Sequence, residues 1–209
     1  MVREEWRPML RLALPLVAAE LGWMTMGVVD TIMAGHAGRQ LLGAVALGHG
    51  LYYTFAVFGI GMMFGLDPLV AQAFGRGELS DCKRSLAAGL VVAVLLSPPL
   101  TALAWMMGPV MDLFHIDASL RDETQGYLRA VSLGTFPLML YASFRRFLQA
   151  QDVVRPVMIT LVSANIVNIL GNYCLIYGEF GFPKLGAAGA GYATTLARIF
   201  MVAVLCGVT

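Results

Sequence analysis

The sequence predicts an all-α polytopic membrane protein with about six transmembrane helices. Three observations carry that reading. Hydrophobic residues make up 58% of the 209 and charged residues only 13%, where a soluble domain carries about 25% charge. The mean hydropathy is +0.74. The apolar residues fall in long runs, each long enough to span a hydrocarbon core of about 30 Å as a helix. A membrane β-barrel would instead show alternating segments of about ten residues. Backbone groups in lipid must be satisfied internally, which favours helices for such long runs.

The spans follow in order. Residues 1–8, MVREEWRP, are amphipathic and suit the interface, with Trp6 at headgroup depth. The first apolar stretch is longer than a signal-peptide core and holds Glu20 and Asp30, so the N-terminus is expected to be retained. Span one covers about 9–34 and includes Pro15, a bendable point. Span two covers about 41–66, with no Asp, Glu, Lys or Arg, and ends at Asp67-Pro68, a capping or hinge pair. Span three covers about 86–108, and Pro98-Pro99 should kink or locally unwind it. Span four is expected near 126–146 and span five near 155–177. The turn-rich GEFGFPKLG then leads to span six, 187–209. Together, residues 1–209 read as a single lobe.

Cations set the orientation. With the N-terminus cytoplasmic, nine Lys and Arg lie inside and four outside, Arg198 within span six being uncounted. Arg145 and Arg146 close span four, where contact with anionic headgroups is the default expectation.

Polar residues inside the spans are the candidate site. Asp30 lies deep in an apolar helix, and intramembrane carboxylates are functional hypotheses by default. It suits a proton or sodium site. Glu20 precedes it by ten residues, about 80° around the helix and roughly 15 Å along it, so the two are not a hydrolytic pair. Asn165, Asn168 and Asn172 recur at i,i+3 and i,i+4 and line one stripe of span five. Buried amides need partners in other helices or in a wet cavity. Thr194 and Thr195 in span six are candidates for the same face.

Other classes find little support. Net charge is +1, so no basic surface asks for nucleic acid. Cys82, Cys174 and Cys206 are scattered and read as small hydrophobes, and three dispersed histidines offer no metal spacing. GAAGAG at 186–191 lacks a P-loop ending and reads as a close-packing helix start. Neither HExxH nor GxSxG is present, so an enzyme is not expected and no cofactor is implied.

Four stretches carry a resemblance: LALPLVAAELGWMTMGVVDTIMAGHAG, DPLVAQAFGRGE, RRFLQAQDVVRPVM and NIVNILGNYCLIYGEFGFPKLGAAGAGYATT. In these the chain resembles the N-terminal half of a multidrug and toxic compound extrusion (MATE) family transporter. The resemblance implies twelve spans in two lobes. It also implies export of cationic or amphiphilic compounds against inward proton or sodium flow. The family's first-lobe aspartate falls on Asp30 and its helix-five asparagine on Asn168, while Asn172 stands where some members have an aspartate. The second-lobe acidic residues have no counterpart here, so a second lobe or a homodimer is the implied partner, besides substrate and membrane lipids. The expected location is the bacterial inner membrane. Competing readings are a lipid-linked saccharide flippase, which would favour a large basic cleft, and a non-transporting scaffold or truncated relic.

Overall fold

The computed structural model describes residues 2–209, with side chains described from residue 13 onward. The expected interfacial placement of Trp6 therefore lies outside the described side chains. Every regular element among the described residues is helical: α1 (Val2–Ala37), α2 (Arg39–Met63), α3 (Leu66–Gly75), α4 (Leu79–Trp105), α5 (Met107–Leu113), α6 (Ala118–Ser132), α7 (Thr135–Gln149), α8 (Arg155–Tyr177) and α9 (Gly186–Val208). A 3-10 turn, Glu179–Gly181, joins the last two. Among the described residues, five segments are long and apolar enough to cross a membrane: Ala13–Ala37, Arg39–Gly75, Leu79–Leu113, Arg155–Tyr177 and Gly186–Val208. Large apolar side chains such as Leu95, Leu103, Ile159 and Leu170 face outward on α4 and α8, as a lipid-facing exterior requires.

The helix breaks have a common local cause. Pro68, Pro109 and Pro137 lack the N–H that would reach the carbonyl four residues earlier, on Phe64, Trp105 and Leu133. The helix is interrupted beside each of those acceptors. Each freed turn also contains a glycine: Gly65, Gly108 or Gly134. At the first break, Phe64 accepts from Asp67 N–H at 3.1 Å instead, a 3-10 bond. At the second, the Gln125 side chain donates to the Trp105 carbonyl at 3.2 Å.

The prolines without a glycine in the freed turn behave differently. Pro98-Pro99, a pair expected to kink or locally unwind its span, does not unwind it; α4 runs through both as helix. Ser97 donates to the Ala93 carbonyl at 2.6 Å there. Pro15 likewise sits within an unbroken α1. A proline removes one hydrogen bond, whereas a proline with a glycine also removes the stiffness that would hold the turn. The hinge expected at Asp67-Pro68 accordingly shifts: the break is at Phe64–Gly65, and both residues lie in the first turn of α3.

The fourth expected span, 126–146, is the broken pair α6–α7 and not one long apolar helix. Its charged residues and its Gly134 break keep it out of the set of long apolar segments. Much of it is buried inside the protein, including Tyr127, Leu128, Val131, Leu138 and Met139.

Helix α9 is the hub, packed against α8, α6, α7, α1 and α2. Its GAAGAG start explains the closeness. A Cβ on Gly189 would collide with the Leu175 carbonyl of α8. One on Gly191 would lie 2.8 Å from the Tyr127 carbonyl of α6. Only glycine lets the three backbones approach in this way.

Candidate functional site

Packing α1, α8 and α9 together buries Asp30, which is 3% exposed. Its Oδ1 accepts from Asn168 Nδ2 at 3.0 Å and from Asn172 Nδ2 at 2.6 Å. Its Oδ2 accepts from the Thr194 hydroxyl at 2.8 Å. Asn172 Nδ2 also lies 3.3 Å from Asn168 Oδ1, while Asn172 Oδ1 is buried without a partner. Asp30 thus has three donors and, among the described residues, no ion pair. Hydrogen bonds to a charged group contribute roughly 1.5–3 kcal/mol each. That offsets a desolvation cost of several kcal/mol for one buried ion.

A cavity of about 460 Å³ opens beside this carboxylate. Trp23, Tyr52, Tyr53 and Tyr127 give it aromatic walls, and His49 and Arg198 add polar groups. The His49 ring stacks on Tyr53 with centroids 5.7 Å apart. Arg198 Nη1 donates to Tyr52 Oη at 2.9 Å and to the Val131 carbonyl at 3.2 Å. Its guanidinium carbon lies 4.9 Å from the Tyr52 ring centre. The break at Gly134 makes room for this group, because a Cβ there would sit 3.0 Å from Arg198 Nη1.

The remaining candidates go elsewhere. Thr195 turns away from Asp30 and donates to the Ala130 carbonyl of α6 at 2.9 Å. Asn165 donates to the Gly22 and Leu161 carbonyls, both at 2.8 Å, and joins α8 to α1. The asparagine stripe therefore splits, because α8 meets α1 backbone at one level and the Asp30 carboxylate at the next. Glu20 lines a second cavity, of about 260 Å³, and pairs there with Arg145. Arg146 pairs with Asp67 at 3.5 Å and stacks 3.9 Å over Phe64. These pairings overturn the headgroup role expected for the two arginines. The Arg145 side chain is only 8% exposed, since α7 turns it inward toward α1.

Arg198, His49, Tyr52 and Tyr127 were not among the candidates read from the sequence. A lone cation four residues after Thr194 in an apolar span was the available signal for Arg198. The other three depend on which helices pack together.

The MatE family profile matches residues 15–174, from the first membrane helix through α8. The chain belongs to the MatE family. It is 36% identical over 202 residues to a probable multidrug resistance protein NorM of Bradyrhizobium diazoefficiens, covering 94% of this chain and 42% of that protein. A probable multidrug resistance protein NorM of Geobacillus kaustophilus is 34% identical over 200 residues, covering 95% of this chain and 44% of that one. Among solved structures, the eukaryotic MATE transporter AtDTX14 superposes with a TM-score of 0.86 at 24% identity, covering 97% of this chain and 45% of that chain. That likeness establishes the fold: this MatE chain has the architecture of one transporter lobe. It spans less than half the length of the curated relatives it matches.

Proposed function

We propose that this MatE chain is one lobe of a secondary active exporter of cationic or amphiphilic compounds, with Asp30 as its ion-coupling group. The observation that carries the reading is a fully buried carboxylate, held only by neutral donors, on the wall of an aromatic cavity. The multidrug-resistance naming of the relatives supports the substrate class.

The mechanism follows from hydrogen-bond capacity. An ionised Asp30 is acceptor-only and suits the Asn168, Asn172 and Thr194 donors. A protonated Asp30 carries a donor of its own and must find an acceptor. Turning the Asn172 amide over presents Oδ1, the oxygen without a partner, toward Asp30. A sodium ion makes the same demand, because it needs the amide and hydroxyl oxygens turned inward. Either ion thus changes how α1 is held against α8 and α9, and the change in packing alters the cavity. Coupling requires only that ion and substrate favour different packings. Pro15 in α1, and the Phe64–Gly65 break beside Asp67-Pro68, are the bendable points of that motion. Glu20, Asn165 and Thr195 support helix packing around it, and Asn168, Asn172 and Thr194 carry the switch.

The broken pair α6–α7 serves as the fourth of six crossings, shielded from lipid by its neighbours. Arg145 and Arg146 are engaged by Glu20 and Asp67. Setting them aside leaves seven cations against four. The N-terminus is therefore cytoplasmic in a bacterial inner membrane. A second lobe, as further chain or as a second copy, completes the cleft.

Reconstitution into liposomes tests the coupling. An imposed proton or sodium gradient should drive export of a fluorescent organic cation, and Asp30→Asn should reduce that flux to background with membrane insertion intact. Gradient-driven flux unchanged in Asp30→Asn would sink the proposal. Cysteine cross-linking in membranes tests the second-copy form, which is excluded if active chain never links to another copy.

A further inference from the structure

Proton coupling at Asp30 requires a proton to reach a carboxylate that is almost sealed. Asp30 is 3% exposed, and Asn168, Asn172 and Thr194 occupy both of its oxygens. Free hydronium is scarce near neutral pH, so an enclosed carboxylate fills fastest through a neighbour that exchanges protons with water. Histidine is the side chain suited to that task, because its charge changes near neutral pH.

The cavity wall contains one. His49 of α2 is exposed and lines the same cavity as Asp30. The other titratable or charged groups on that wall are Asp30 from α1, Tyr52 and Tyr53 from α2, Tyr127 from α6 and Arg198 from α9, while α7 brings only Leu138. Tyrosine ordinarily titrates at about 10 and arginine above about 12. Besides Asp30 itself, His49 is therefore the one group among them that gains and loses protons in the neutral range.

Its seat aims it at α1. A Cβ on Gly27 would lie 3.4 Å from His49 Cε1 and 3.7 Å from its Nε2, so the imidazole rests on bare backbone. Gly27 precedes Asp30 by three residues, which places the two on one face of α1, about 4.5 Å apart in rise. Tyr53, one turn along α2, stacks on the ring with centroids 5.7 Å and planes 11° apart, and so fixes its plane. His36 uses a ring nitrogen on the Ile32 carbonyl of its own helix, whereas the His49 nitrogens have no partner among the described residues. A ring needed only to stack on Tyr53 would not require a nitrogen.

We propose that His49 is the proton relay of this lobe, taking a proton from cavity water and passing one to the Asp30 carboxylate. In the transfer an N–H bond of the imidazolium breaks and an O–H bond forms on Asp30. The ring is left neutral for the next proton, and nothing else moves. The proposal rests on the reading that Asp30 takes up the coupling proton.

Stopped-flow fluorescence of the purified full chain in detergent tests it. The pH is stepped from alkaline to slightly acidic, and the tryptophan signal is followed, Trp23 being on the cavity wall. The phase that Asp30→Asn lacks reports protonation of Asp30. His49→Gln should slow that phase about a hundredfold, the lower end of what a positioned acid contributes. Added imidazole should restore the rate, whereas 1,3-dimethylimidazolium, which has no exchangeable proton, should not. A native rate in His49→Gln overturns the proposal, as does a slowed rate that imidazole fails to restore. Should the Gln variant not fold, a His36→Gln, His115→Gln chain is carbethoxylated after folding, where His49 is the remaining histidine. The phase should slow and recover with hydroxylamine, and an unaffected phase overturns the proposal. If native and Asp30→Asn chains respond alike, the coupling role of Asp30 falls, and the relay with it.

Discussion

The two cavities along α1 solve the same problem in opposite ways. Each contains a carboxylate of α1, ten residues apart. At Glu20 the carboxylate meets a guanidinium, and Asp67 meets another one residue along α7. At Asp30 the carboxylate meets two amides and a hydroxyl, and the nearby guanidinium of Arg198 is left without a carboxylate partner. Paired charges hold elements together, here α1 and α3 against α7. A lone carboxylate among neutral donors is sensitive to whatever supplies a positive charge. Under the coupling proposed for Asp30, the difference separates a fastening from a switch on one helix.

The largest expected effect breaks the switch. Asp30→Asn should abolish gradient-driven flux, whereas Glu20→Gln should leave coupling in place; equal losses in both would erase the distinction. Glu20→Gln should instead cost stability, because it leaves Arg145 buried without its counter-charge. Breaking a fully buried pair costs roughly 3–5 kcal/mol. Glu20 is half exposed, so about 2 kcal/mol is expected, read as a lower Tm in detergent. Arg145→Met combined with Glu20→Gln should recover part of that loss, and strict additivity would deny the pair any coupling.

Asn172→Asp sharpens the comparison from the other side. It places a second carboxylate where Asn172 Nδ2 now sits 2.6 Å from Asp30. The variant should melt below the native chain in sodium-free buffer, since adjacent like charges repel, and sodium should restore it more than choline does. An unaltered sodium response would show that the cluster does not gather cations.

The smallest effect lies outside both cavities. Asp117 caps α6, accepting from Ser119 N–H at 2.9 Å and from its hydroxyl at 2.5 Å. These bonds hold its carboxyl below the ordinary value of 3.8. A lowered folded-state value stabilises the protein above 3.8, and the contribution fades as pH falls through the folded value. Asp117→Ala should therefore lower Tm slightly near neutral pH, with the difference vanishing in strong acid. A difference that persists in acid would assign the effect to something other than the charge.

Much of this was written in the sequence. Long apolar runs with few charges determined a helical membrane lobe, because lipid leaves the backbone no other satisfactory partner. Asp30 and the i,i+4 pair Asn168 and Asn172 stood out because polar groups are costly in hydrocarbon. The three breaks were also legible in principle, as a proline with a glycine in the turn it frees.

Tertiary structure decided the partners. Asn165 and Asn168 share a stripe, yet one binds α1 backbone and the other the Asp30 carboxylate. Thr194 and Thr195 are adjacent, yet a 100° step sends one to α1 and the other to α6. Arg145 was expected among headgroups and lies buried against Glu20. Arg198 was a lone cation until α2 and α6 closed around it and left one edge of it unpaired. Periodicity specifies which face of a helix a residue occupies. What that face meets depends on how closely neighbouring helices approach, and here glycines such as Gly189 and Gly191 set that distance.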